Sequence, residues 1–504
     1  MKGVLFFLLL LPVICFSQNR YVSTSGNNSN SGLDENHPWQ TMVKVRSAHQ
    51  SGAQIHAGDT VFFKRGDTFI VQDAFNGCQI WSPPTGNAVS GTAGNPIVWD
   101  AYGDPNDPKP NFLFPNPAST DSTSRRCLSF EGTQYYVIRN LRSVDTRRMP
   151  VSHVLGAYTA GFVQFGERGS GQETSHCKVE NCDTYGVGLG VIIVGDYDSV
   201  VNCRFEEMGN VDAIGSDSYG ANCVTLSGSH HYIVGNYMAD AWAFSDAFSP
   251  FFNGGAIEAF NTVDSCFFGY NTITSCSGLV EFGATAGAST FKMDTFCYNK
   301  ILNVGDVSYV NVSGAFAGQP DQICFFNNDI VENDSSLFSG PYGGRLMHDF
   351  PTWPSGYAAV YRCFYNNGSP SASTVYVLKN NLIRNYNNFT VILTPSKTTH
   401  TYNGYNLSGG SSVGTSLSTG EANVTNMWKD TTSGYVQNWD FHLNTDIVGT
   451  TISGLTRDFF NQPLTPTTSQ GIAQYIPPAT NKITVPFTLK LPGGGSVNIG
   501  KINP

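Results

Sequence analysis

Charge is scarce in this sequence. Asp, Glu, Lys and Arg together make up 13% of its 504 residues, and the balance is acidic, at −10. No cluster of Lys and Arg occurs, which excludes nucleic acid as a partner, because a basic face is needed to neutralise phosphates. Helical periodicity is nearly missing; Thr41 to Ala48, after Pro38-Trp39, is the one early stretch that reads as a helix. No Cys-x-x-Cys pair or Cys/His cluster has zinc-site spacing. Of the twelve cysteines all but Cys15 follow residue 17, an odd remainder that cannot all pair internally. Long apolar runs are confined to the start. Lys2, the stretch Val4 to Ile14 and the exit Cys15-Phe16-Ser17 before Gln18 have the layout of an export signal over residues 1–17. The run is too short to span a bilayer comfortably. The expectation is a secreted chain, extracellular or periplasmic, with no membrane segment after signal removal. Bulky Val13-Ile14 ahead of Cys15 disfavours a lipid anchor.

What is present instead is a returning phrase, an asparagine followed by β-prone residues: Asn181, Asn202, Asn236, Asn271, Asn299, Asn328 and Asn381, at steps of 21, 34, 35, 28, 29 and 53. Self-similarity at such steps marks stacked repeats. The units are β-rich and punctuated by glycine, 53 in all, so the expected architecture is an all-β parallel β-helix in which equivalent positions form ladders. Cys182 and Cys203 each follow a ladder asparagine, while Cys266, Cys297 and Cys324 precede one. Cysteine at such positions reads as small apolar core filler, with a disulfide framework as the alternative.

Residues 18–130 read as an N-terminal cap and first coils, 131–476 as the regular β-helix, and 477–504 as a tail forming a loose hairpin or an extra strand pair. A solenoid needs an atypical first unit over its exposed apolar end, and the short helix near Thr41 suits that. Two segments break the rhythm: Ala239 to Asn253, with Trp242 and Phe244, and Ser336 to Gly356, with Tyr342, Arg345, His348 and Trp353. Long insertions in repeat proteins become loops, often on the binding face.

The opening residues Tyr21-Val22-Ser23, Gly26-Asn27, Pro38-Trp39-Gln40-Thr41, Gly58-Asp59-Thr60-Val61 and Lys64-Arg65-Gly66-Asp67-Thr68-Phe69, then Gly91 to Val98 and Ala101-Tyr102-Gly103-Asp104, and the closing Asp440-Phe441-His442-Leu443, Arg457-Asp458-Phe459 and Gly471 to Tyr475 resemble secreted bacterial right-handed parallel β-helix proteins of the pectate-lyase-like superfamily. The resemblance implies a right-handed single-stranded coil, with Asp440 to Tyr475 as its terminal turn. It leaves activity open, since the superfamily spans lyases, hydrolases, epimerases and non-catalytic spikes. The polygalacturonase motif set is not reproduced: Asn444-Thr445-Asp446 occurs without its companions.

Aligning the strand ahead of each ladder position gives a column Ile193, Thr225, Glu258, Glu281, Asn311, flanked by apolar residues. Side chains alternate faces along a strand, so the column is expected to point outward, with Glu258 and Glu281 stacked at the rung spacing of about 4.7–4.9 Å. Like charges that close raise one pKa, and two carboxyls about 5–5.5 Å apart suit a retaining glycosidase. The same oxygens suit calcium, with Asp246, Asp264 or Asn311 completing a shell; a plain sheet-face pair is the third reading. Expected catalytic residues are Glu258, Glu281 and His348, with Trp242, Phe244, Trp353, Tyr342 and Arg345 lining a sugar-binding groove. A lyase needs a base and a cation to stabilise the negative charge formed on proton removal; Lys292, Arg345, Arg204, His230, His231 and His348 are the candidates. The functional expectation is a secreted polysaccharide-degrading enzyme, lyase or glycoside hydrolase. The alternative is a non-catalytic glycan-binding or spike-like surface protein.

Overall fold

The computed structural model describes residues 17–50, 54–71, 78–81, 89–114, 125–145, 158–167, 171–212, 221–241, 243–244, 252–283, 290–311, 319–332, 362–367, 374–385, 390–407, 411–424, 427–430, 440–443, 487–490 and 496–499. The export-signal expectation therefore falls outside the described residues.

The chain winds as a parallel β-helix with three faces. Face A is a twelve-stranded sheet running in sequence order from Asn19–Val22 to Thr398–Thr401. Faces B and C are joined into one 25-stranded sheet, partly through antiparallel pairing of Tyr158-Thr159 with Val211-Asp212. Parallel strands connected through a full coil take the right-handed crossover, which makes the solenoid right-handed. Coiling begins at once: Asn19–Val22 stacks on Thr60–Lys64, and that strand on Ile97–Tyr102. The helix Met42–Gln50 buries Met42, Val45, Ala48 and His49. Trp99 Nε1 donates to His49 Nε2 at 3.2 Å, so His49 Nδ1 carries the proton toward Tyr136 Oη at 3.3 Å, and Tyr136 donates to Val89 O. Full burial pulls the His49 pKa down to about 3, keeping it neutral as this tautomer requires.

The corners explain the repeating phrase. Between faces A and B the chain turns through one residue in the left-handed region, and the next residue points inward. From the coil of Lys178–Glu180 onward the turning residues are Asn181, Asn202, Gly235, Tyr270, Tyr298, Asn327, Asn380 and Tyr402. The inward residues are Cys182, Cys203, Asn236, Asn271, Asn299, Asn328, Asn381 and Asn403, all buried. Asn181 and Asn202 are thus one residue out of phase with the other ladder asparagines, because asparagine also tolerates the left-handed turn. From Asn236 onward, each asparagine sends its backbone N–H and Nδ2 to Oδ1 of the next, all at 2.9–3.0 Å, through Asn271, Asn299, Asn328, Asn381 and Asn403. Asn403 Nδ2 donates to Glu421 Oε1 at 2.7 Å, so a carboxylate ends the ladder.

The face C–A corner repeats the device with other residues. His176, Tyr197, His230, Ser265 and Met293 make the left-handed turn, and Cys177, Asp198, His231, Cys266 and Asp294 follow, all buried. Asp198 Oδ1 accepts Cys177 N–H at 2.7 Å, His231 Nδ1 accepts Asp198 N–H at 3.3 Å, and Asp294 Oδ1 accepts Cys266 N–H at 3.0 Å. The interior is otherwise apolar, with stacked rings such as Phe268, Phe296 and Phe325, spaced 4.3 and 4.6 Å. Ten cysteines from Cys127 to Cys363 are buried free thiols, which matches the core-filler expectation rather than a disulfide framework.

Two registers follow pairing rather than sequence likeness. The run Cys363-Phe364-Tyr365-Asn366-Asn367 looks like Cys324-Phe325-Phe326-Asn327-Asn328, yet Arg362–Asn367 stacks on Asp306–Asn311 in face C, whereas Ile323–Phe326 belongs to face A. The step of 53 from Asn328 to Asn381 is therefore one coil carrying a long insertion. Asp440–Leu443 does not open a closing coil. It pairs antiparallel with Trp428–Asp430, and Trp428 Nε1 donates to Asp329 Oδ2 at 2.9 Å, laying this hairpin over face B. In the tail, Phe487–Lys490 pairs antiparallel with Ser496–Ile499, the hairpin expected there.

Candidate functional site

Face C carries the glutamate pair. Its strands Ala221–Ser229, Phe252–Asp264, Gly278–Gly283 and Asp306–Asn311 stack in parallel. Val224, Ile257, Val280 and Val310 are buried core residues, so alternate positions face out. Thr225 is in register with Glu258, Glu258 with Glu281, and Glu281 with Tyr309. The two glutamates thus occupy consecutive rungs, both half-buried. The column differs from the sequence alignment at its ends. Ile192 pairs with Thr225 while Ile193 is in the core, and Tyr309, not Asn311, stands opposite Glu281.

Two donors from the preceding coil reach the first carboxylate. Asn222 Nδ2 lies 2.7 Å from Glu258 Oε2, and Thr225 Oγ1 lies 3.5 Å from the same oxygen. Asn222 is itself buried at 3% exposure, so its amide is held in place. The surroundings of Glu281 are different. A Cβ at Gly283 would sit 3.3 Å from the Phe260 ring and 3.9 Å from Glu281 Oε1; ring and carboxyl border the same bare spot. Gly255 and Gly278 keep the floor beside the pair free of side chains, and a Cβ at Gly255 would lie 2.9 Å from Gly278 O. The four strands contain no Lys or Arg.

The other expected site residues are placed as follows. Phe244 lies in the short strand Ala243–Phe244, in antiparallel register with Phe252 at the start of the strand that carries Glu258. Trp242, Tyr342, Arg345, His348, Trp353 and Asp246 fall outside the described residues. Both insertions leave the coil between faces B and C, which brings their ends to the edge of the site-bearing face. Arg204 is on face B, 2.5 Å from Glu206 and over the Tyr237 ring at 4.3 Å. Lys292 pairs in register with Asp264 at the far end of the Glu258 strand. His231 is fully buried, and burial lowers its pKa to about 4. Of the histidine pair His230 is the outer one. Its ring closes a stack of Tyr135, His176, Tyr197 and His230 with centroids 4.7, 5.1 and 4.7 Å apart. Each interior ring of that stack has its faces covered by its neighbours, so the ladder braces a corner.

Of the residues expected to complete a calcium shell, Asp246 lies outside the described residues. Asp264 sits at the corner end of its strand, and Asn311 is two positions along from the Glu281 partner. Among the described residues no group of three or more His, Cys, Asp or Glu is placed to hold a metal ion. No helix among them is long and apolar enough to cross a membrane. A cavity of about 620 Å³ opens toward the C-terminal coils, lined by Tyr405, Leu407, Val413, Leu417 and Val424 among others. No carboxylate lines it, so it lacks the chemistry of face C. Sequence spacing missed Asn222, whose only signal is that Asn222-Cys223 repeats the phrase of Asn202-Cys203.

No family model matches the chain, and no curated protein matches its sequence. Solved structures with a similar fold include a rhamnogalacturonan lyase, 14% identical over 77% of this chain and 87% of that one, with a TM-score of 0.40. An alginate lyase from Paenibacillus sp. str. FPU-7 is 13% identical over 67% and 97%, with a TM-score of 0.36. A GH136 lacto-N-biosidase from Eubacterium ramulus is 12% identical over 62% of this chain, with a TM-score of 0.33, and the match spans 64% of that protein's length.

Proposed function

We propose that this chain is a secreted carbohydrate-active enzyme of the pectate-lyase-like superfamily, that it binds a polysaccharide along the outer side of face C, and that it cleaves the chain by hydrolysis through Glu258 and Glu281. The observation that carries the reading is the register of the two glutamates on consecutive rungs. Rung spacing is about 4.7–4.9 Å, close to the separation of about 5–5.5 Å at which one carboxyl attacks the sugar and the other handles the proton. Hydrolysis is favoured over elimination because the strands bearing and flanking the pair carry no Lys or Arg to stabilise the charge that proton abstraction develops. The insertion residues Trp242, Phe244, Tyr342, Arg345, His348 and Trp353 are of the aromatic and polar types that suit sugar rings.

Product analysis on a panel of neutral and uronic-acid glycans tests this. The expected result is new reducing ends without ultraviolet-absorbing unsaturated ends. Unsaturated ends would replace hydrolysis by elimination. Binding without any cleavage would make the chain a glycan-binding surface protein.

A further inference from the structure

The corner between faces C and A carries one left-handed residue per coil. Tyr135, His176, Tyr197 and His230 stack one ring on each of four successive turns. The next two turns put Ser265 and Met293 at the same position, with φ of 57° each beside 59° for His230. Their side chains therefore leave the backbone in the direction that the rings take. The row of rings stops at Ser265, and a slot one rung wide is left between His230 and Met293. Twice the rung spacing is about 9.4–9.8 Å, whereas a flat ring in contact on both faces takes about 7–8 Å. The His230 ring meets Tyr197 on one face, and among the described residues no ring meets the other. Met293 is 56% exposed, so its side chain is not packed away under another element. Polar groups line one side. Asp196, Ser229, Asp264 and Lys292 stack in register just ahead of the corner. Ser229 Oγ gives its proton to Asp196 Oδ1 at 2.6 Å and accepts from His230 Nδ1 at 3.0 Å, which fixes the ring. Ser265 Oγ donates to Asp264 Oδ1 at 2.9 Å.

Resting on the carbohydrate reading above, we propose that this slot is a second sugar subsite. It takes a neutral pyranose ring of the same glycan chain, with the ring's apolar faces on His230 and Met293 and its hydroxyls on Asp264 and Lys292. Three features select that ligand. A pyranose ring is puckered, and the slot is about 2 Å wider than a flat ring needs. Sugar hydroxyls both donate and accept, which suits a carboxylate and an ammonium side by side. An acidic sugar would meet two carboxylates, Asp196 and Asp264, against the one cation of Lys292, and like charges oppose it. Thr225 is in register with Glu258, and Ser229 with Asp264. The slot therefore lies four residues along face C from the glutamate pair, about 13 Å at the strand rise, and an extended glycan can fill both positions.

Calorimetric titration with neutral and uronic-acid oligosaccharides of increasing length tests the subsite, with every protein carrying Glu258→Gln so that no glycan is consumed. Binding is expected to tighten with length for a neutral series. It should fall by about tenfold or more when Ser265→Tyr is added, because that change puts a ring in the slot. Tyrosine already makes this left-handed turn, at φ of 56° in Tyr135 and 61° in Tyr197, so Ser265→Tyr should melt at or above the temperature of its background while it loses the ligand. Met293→Ala, at an exposed position, should weaken binding by less. Binding unchanged by both substitutions, no binding of any neutral series, or tighter binding of a uronic-acid series would overturn the subsite. If Ser265→Tyr loses the glycan but the parent chain cleaves none, the hydrolase reading fails and the subsite stands. If cleavage depends on Glu258 and Glu281 while Ser265→Tyr and Met293→Ala bind as their background does, the subsite fails and the hydrolase reading stands.

Discussion

The asparagine ladder and the glutamate pair are made by one device and put it to opposite uses. In both, a parallel coil brings the same position of successive turns into register, about 4.7–4.9 Å apart. At the A–B corner the aligned side chain is an amide, which both donates and accepts, so each asparagine satisfies its neighbour and the row is fully buried. On face C the aligned side chains are acids, which in their charged form only accept. The pair stands on the outward side of its sheet, and Asn222 and Thr225 reach Glu258. Registry stabilises the first row and sets two carboxyls one rung apart in the second. Like charges that close oppose each other, which suits a row of two rungs and not one that runs through many coils.

The contrast can be broken from either side. The largest effect belongs to the acids. Glu258→Gln and Glu281→Gln should each lower turnover on a responsive glycan by about 10²–10⁴-fold, with folding retained in circular dichroism. The ladder comes next. Asn299→Ala strands the Asn271 backbone N–H and one Nδ2–H of Asn271, whose other N–H stays on Ile233 O, and takes a donor from the Phe268 carbonyl; each buried orphan costs about 1–3 kcal/mol, so denaturant titration should show a loss of about 3 kcal/mol with no change in the mechanism of any surviving activity.

A pH effect should separate the buried corner from both. Burial raises the Asp198 pKa to about 8. Between the ordinary carboxylate range and about 8, the native chain holds a proton that the unfolded chain has lost. Stability contributed by this group therefore falls as pH rises through that window. Asp198→Asn should gain melting temperature relative to the parent protein progressively toward pH 8. His231 works in the other direction, because its pKa is lowered to about 4 and the unfolded chain takes up its proton first as pH drops below the usual histidine value. Melting curves of His231→Gln should accordingly lose less on acidification. The smallest expected effect is a change of about 1 kcal/mol or less in the stability of Glu281→Gln near neutral pH, as expected at a half-buried position on the outward side of a sheet.

The coil was legible because its period is imposed by stacking and shows in every turn. The phase was less so at Asn181 and Asn202, since asparagine suits both the left-handed corner and the inward ladder position one residue later. The glutamates were visible as polar residues in the apolar strands Ile257–Phe260 and Val280–Phe282. Asn222 was not, because its partner lies in the next coil, 36 residues on, and a side chain's reach between rungs leaves no trace in linear spacing. The paired rows at the C–A corner were also missed: Cys, Asp and His fill one column, and no single residue type repeats there. The terminal hairpin over face B could not be read from Asp440–Leu443 alone, whose β-prone composition fits an antiparallel strand as well as a coil.

The stereochemistry of cleavage tests the central claim most directly. Proton NMR of the first product released from a responsive glycan should show the anomeric configuration retained, as two carboxyls one rung apart require. Inversion would place the reacting groups farther apart than Glu258 and Glu281 and would contradict the account.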